Sequence, residues 1–258
     1  MNLNLPDRNQ NSPSALPPCR AFTLLELLVV LLIIGLMAAI SLPNIKYMNR
    51  SNSMASATRQ LLDDMEYARN RAISGHTTVY VLFMPPLDPN LASQAANLSA
   101  YQQTNLITGQ QISYALYTRR STGEQPGWET PKYLTRWHTL PQGIFIPISK
   151  FSADVNGIRQ FQTMSAPVPT IDGMNVPMPY IAFNDQGQLA PDSTGLAQDE
   201  IIPLAQGSIF FPKDNYGNLI WDTADVRESP PNNSITNYNR IHIDWLTGRA
   251  KVERLEIQ

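Results

Sequence analysis

The run from Phe22 to Leu42, FTLLELLVVLLIIGLMAAISL, contains one ionisable side chain, Glu26, and no later stretch of the 258-residue chain is as apolar. At about 1.5 Å per residue, a helix of this length reaches about 30 Å, the depth of a bilayer's hydrocarbon core. A helix that is apolar on every side has to be covered by lipid or by other helices. The sequence therefore predicts a membrane-spanning helix over 22–43. Glu26 is the exception within it, because a carboxylate in hydrocarbon is costly unless it lies near the interface or meets a partner. Its place in the first turns of the helix lowers that cost, since the positive end of the helix dipole is there. Two readings stay open: an acid tolerated at the interface, or an acid kept to meet a cation on another chain.

The segment before the run, MNLNLPDRNQNSPSALPPCR, is rich in Asn, Pro and Ser and has no periodic apolar pattern, which reads as disorder. Arg8, Arg20 and the small-x-small triplet Ala39-Ile40-Ser41 are compatible with a secretory signal peptide cut after Ser41. Against that, the apolar segment exceeds the usual span of about 7–15 residues and contains an acid. Cys19 is the single cysteine, so no internal disulfide is available. Lipidation at Cys19 would need the apolar stretch before it, and here the stretch follows. A net charge of −2 with scattered Lys and Arg argues against a nucleic-acid partner.

The string Arg20-Ala21-Phe22-Thr23-Leu24-Leu25-Glu26-Leu27 resembles the cleavage and methylation motif of type IV prepilins and type II secretion pseudopilins. The resemblance implies that prepilin peptidase cuts between Ala21 and Phe22 and methylates the amine of Phe22. It also implies that Glu26 is the family's assembly acid, pairing with the N-terminal amine of a neighbouring subunit. A buried carboxylate is tolerable when a cation of that kind is supplied. Pro43 ends the apolar block where many pilin helices carry a proline and kink, as loss of one backbone hydrogen bond would cause. Ala21 departs from the family, most of whose members have glycine there. The resemblance further implies residence in the bacterial inner membrane with the C-terminal domain in the periplasm, then incorporation into a pilus or pseudopilus. Lys46 and Arg50 follow the span as closely as Arg20 precedes it, so charge alone sets no orientation.

Beyond the span, residues 44–74 hold neither glycine nor proline. Leu61, Leu62, Met65, Ala68, Ala72 and Ile73 recur at helical spacing and predict an amphipathic continuation over 44–75. Glu66 and Arg69 are spaced to pair, and Gly75 is placed to end the helix. The whole helix would be about 80 Å long. The element Ala68-Arg69-Asn70-Arg71-Ala72-Ile73 followed by a strand resembles minor pseudopilins of the GspH/FimT type, as does the layout of residues 180–187, 208–211 and 241–252.

Residues 76–258 read as a β-rich domain. Thr77–Phe83 and Ile112–Thr118 are rich in β-branched and aromatic residues. Arg240–Leu246 and Arg249–Glu253 alternate around Thr247-Gly248 and predict a hairpin with Ala250 and Val252 inward. Residues 85–111 and 222–239 read as long loops. The expected architecture is α+β: a long N-terminal helix, its first half transmembrane, packed on an antiparallel sheet domain, with residues 1–21 as a leader.

Motifs for catalysis are missing. His76, His138 and His242 lack metal-ligand spacing, and there is no G-x-S-x-G and no phosphate-binding glycine loop. Lys213–Asn218 with Asp222 offers oxygen ligands but not the spacing of a calcium loop, and an Asn/Asp/Gly turn between strands is the better account of it. Asn184–Gly187 reads as a similar turn, and Trp128, Trp137, Trp221 and Trp245 as core or edge packing. No metal, no cofactor and no enzymatic activity are expected. The expected role is structural, as a minor pilin or pseudopilin, and the competing class is a signal-anchored or secreted extracytoplasmic binding domain or enzyme.

Overall fold

The computed structural model describes residues 23–89, 96, 98–121, 123–124, 128–152, 158–167, 175–192, 194–236 and 239–254, with the side chains of 38–51, 175, 236 and 254 left out. The chain divides into two compact units, Met1–Tyr47 and Met48–Gln258. Helix α1 is Leu24–Gly75. In the first unit its side chains from Leu24 to Met37 are all exposed. Among the described residues no helix is long and apolar enough to cross a membrane. Leu24 to Met37 accounts for about 20 Å of helix, against about 30 Å of hydrocarbon.

In the second unit α1 buries the predicted stripe. Leu61, Met65, Ala68 and Ala72 are fully buried, and Leu62 packs against the same core cluster. The end of the helix falls one residue later than predicted. His76, not Gly75, adopts the left-handed conformation (φ 46°). The amides of His76 and Thr77 donate to the carbonyls of Ile73 (3.3 Å) and Ala72 (3.2 Å), the double closure of a Schellman motif. Arg69 does not turn to Glu66. Its Nε donates to the carbonyls of Gly187 (3.2 Å) and Thr247 (2.7 Å). Gly187 (φ 78°) and Gly248 (φ 61°) bring the two turns close enough that a Cβ on Gly248 would stand 1.9 Å from the Gly187 oxygen. One guanidinium thus fastens the helix to both turns.

Two antiparallel sheets follow. In the first, the order is β3 (Lys132–Tyr133), β2 (Ser113–Thr118), β1 (Val79–Phe83), β7 (Asn175–Phe183) and β6 (Gln162–Pro167), with β4 (His138–Thr139) also on β2. In the second, the order is β11 (Ala250–Arg254), β10 (Asn239–Ile243), β8 (Glu200–Phe210) and β5 (Ile144–Phe145), with β9 (Asp225–Glu228) also on β8. The composition of β1, VYVLF, follows from burial on both of its faces. Val79, Val81 and Phe83 join the cluster under α1, while Leu82 belongs to a second cluster on the opposite face, with Tyr80 packed against it.

That second face is covered by an element the sequence reading missed. Residues 85–111 are not simply a loop, for they contain α2 (Ala100–Gly109), opened by a capping box between Ser99 and Gln102. Its Leu106 lies in the second cluster. Gln110, fully buried at the end of α2, makes hydrogen bonds at both ends of its amide. Oε1 accepts from the amides of Leu87 (2.9 Å) and Ala224 (3.1 Å), and Nε2 donates to the carbonyls of Ile107 (3.1 Å) and Asp222 (3.0 Å). Residues 222–239 likewise contain structure, namely β9 and a short helix, α4 (Asn233–Thr236); a further short helix, α3 (Ser149–Ser152), precedes β6. The C-terminal hairpin forms as predicted, with Ile241 opposite Val252. Val252 is not inward, however: it lies on the outermost strand of the sheet and is 37% exposed. Trp128 is exposed as well, unlike the packing expected of it.

Candidate processing and assembly site

The described chain begins at Thr23, and Thr23 starts the helix. The Glu26 amide donates to Thr23 Oγ1 at 3.2 Å, and the Leu27 amide to the Thr23 carbonyl at 3.2 Å. Thr23 is therefore the N-cap and Glu26 the third helical residue, the spacing of a capping box. The string Thr-x-x-Glu was a legible signal for this start. It places the carboxylate of Glu26 in the first turn, beside the helix's unpaired amides, where a negative charge is favoured. Glu26 itself is exposed.

Around Glu26 the helix offers only apolar surface. The large side chains from Leu24 to Met37 range from 45% exposed at Val29 and Val30 to 83% at Leu24, with no face spared. Patches of this kind on a lone chain mark surface meant for lipid or another protein. Ala21 and Phe22 lie outside the described residues. So does the side chain of Pro43, whose backbone falls within α1.

Residues 17–42 match the family model described as the prokaryotic N-terminal methylation motif. The N-terminal segment is of the prepilin type. The match contains Ala21, Phe22, Glu26 and the apolar run, and a motif of this kind marks a substrate of prepilin peptidase. The search found no match among curated proteins and none among solved structures.

The remaining polar clusters serve the fold. Asp64 on α1 receives the Tyr114 hydroxyl (2.6 Å) and His138 Nδ1 (2.8 Å) on one oxygen, while Gln60 Nε2 donates to Tyr114 (3.0 Å). Burial, with the Asp64 hydrogen bond second, pushes the Tyr114 hydroxyl far above its ordinary range. His242 Nε2 lies 3.0 Å from Asp199. Both pairs have the Asp–His form of a catalytic dyad, yet among the described residues no hydroxyl or thiol hydrogen-bonds to either imidazole. They tie elements together: α1 to β4 in the first case, β10 to the approach to β8 in the second.

A buried ion cluster was not anticipated from sequence, where Lys150, Arg159, Asp192 and Glu200 are far apart. Lys150 is 1% exposed. Its Nζ pairs with Glu200, donates to the Arg159 carbonyl at 2.5 Å and lies 4.5 Å from the centre of the Phe161 ring. Arg159 reaches Asp192 (2.9 Å) and Glu200 (3.6 Å).

The loop at Lys213–Asn218 closes on itself. Asp214 Oδ1 accepts from the amides of Tyr216 and Asn218, both at 2.8 Å, and Oδ2 from the Asn218 side chain at 3.0 Å. These bonds, the Asn218 side chain first, hold the Asp214 carboxyl below its ordinary value. Among the described residues no group of His, Cys, Asp or Glu is gathered to hold a metal ion. Asn184 likewise folds its own turn, accepting from the amides of Gln186 and Gln188.

Proposed function

We propose that this chain is a minor pilin or pseudopilin, a structural subunit incorporated into a type IV pilus or a type II secretion pseudopilus. The observation that carries the reading is the apolar surface of Leu24–Met37, exposed on every side and interrupted by one acid, inside the matched methylation motif. In this reading prepilin peptidase removes residues 1–21 and methylates Phe22. The helix over 22–43 then waits in the inner membrane with the domain over 76–258 in the periplasm, and Pro43 loosens the helix between its two halves.

Assembly exchanges lipid for the helices of other subunits. Within that bundle Glu26 has to find a cation, and the amine of a neighbour's Phe22 is the nearest in kind. The position of Glu26 supports this assignment: its side chain is exposed in the first turn of the helix, where a neighbour's amine could reach it. No reacting group is needed, so the role is structural rather than catalytic.

Intact mass and N-terminal sequencing of the mature chain test the reading. A start at Phe22 carrying one extra methyl group is expected. A start at Leu42, after cleavage at Ser41, would overturn it in favour of a secreted binding domain or enzyme.

A further inference from the structure

We draw no further inference here: the strongest candidate, the cleft of about 680 Å3 between β5 and the far end of β8, walled by Gln142, Gly143, Ser208, Ile209 and Phe211, has no charged residue in its lining, and nothing in the structure shows what covers it.

Discussion

Replacing Gly248 with alanine probes the contact between the turns at Gly187 and Gly248, and Gly217 supplies the control. Both positions have positive φ, 61° at Gly248 and 87° at Gly217. An alanine in that region costs about 1–2 kcal/mol in backbone strain alone. At Gly217 nothing lies within 4 Å of the added Cβ, so strain is the whole effect. At Gly248 the Cβ would stand 1.9 Å from the Gly187 oxygen and 3.3 Å from Arg69 Cδ. Backbone must retreat there, which adds about 1–3 kcal/mol by the usual cost of overpacking.

The expected totals are about 1–2 kcal/mol for Gly217→Ala and about 2–5 kcal/mol for Gly248→Ala. For a domain of this size each kcal/mol lowers Tm by about 2–4 °C. Thermal unfolding of the full chain in detergent, followed by tryptophan fluorescence, reports on the β domain, since α1 contains no tryptophan. Equal shifts for the two variants would refute the close approach of the turns. At Gly187 the obstacle is Ile73 Cδ1, 2.6 Å from an added Cβ, so Gly187→Ala combined with Ile73→Val should cost less than the sum of the two.

Glu26→Ala should leave membrane insertion intact while reducing recovery in sheared filament fractions; undiminished incorporation would remove the pairing role. Glu200→Ala leaves Lys150 without that carboxylate in a site where it is 1% exposed, and a loss of about 3–5 kcal/mol is expected from urea unfolding. Lys150→Met with Glu200→Leu should recover most of that loss, and failure to do so would mean packing, not charge, sets the cost. Hydrogen bonds led by the side chains of Thr194, Asn218 and Thr247 hold the carboxyls of Asp192, Asp214 and Asp244 below their ordinary value of 3.8. Each depressed pKa stabilises the fold above that value and loses its effect as pH falls through the lower folded-state pKa. The acid unfolding midpoint should therefore rise in Asp214→Asn, and an unmoved midpoint would count against the loop's contribution.

What was legible in the sequence were features governed by local pattern. The stripe of Leu61, Met65, Ala68 and Ala72, the strands after His76 and the Thr247-Gly248 hairpin follow from spacing alone. The helix at Ala100–Gly109 was signalled by Ser99 and Gln102, but a proline-rich and polar approach obscured it. Its Leu106 has meaning only once the second face of β1 is known to need cover. Val252 fails for the reverse reason: alternation gives its face and does not tell whether anything lies over an outermost strand. At the start of α1 the capping by Thr23 was encoded in Thr-x-x-Glu, a local signal that went unread. The Lys150 cluster joins positions remote in sequence, where no periodicity carries a signal.

Gln110 has an evolutionary consequence. Its single amide joins the chain after β1, the end of α2 and residues 222–224. The segments over 85–111 and 211–224 are therefore not independent ornaments. A descendant that deleted the segment over 85–111 would strand the amide of Ala224 and the carbonyl of Asp222, and one that trimmed residues 211–224 would take one of the two partners from each end of the buried Gln110 amide. The two segments are expected to be inherited, exchanged or lost as one cassette, with a buried glutamine as its clasp.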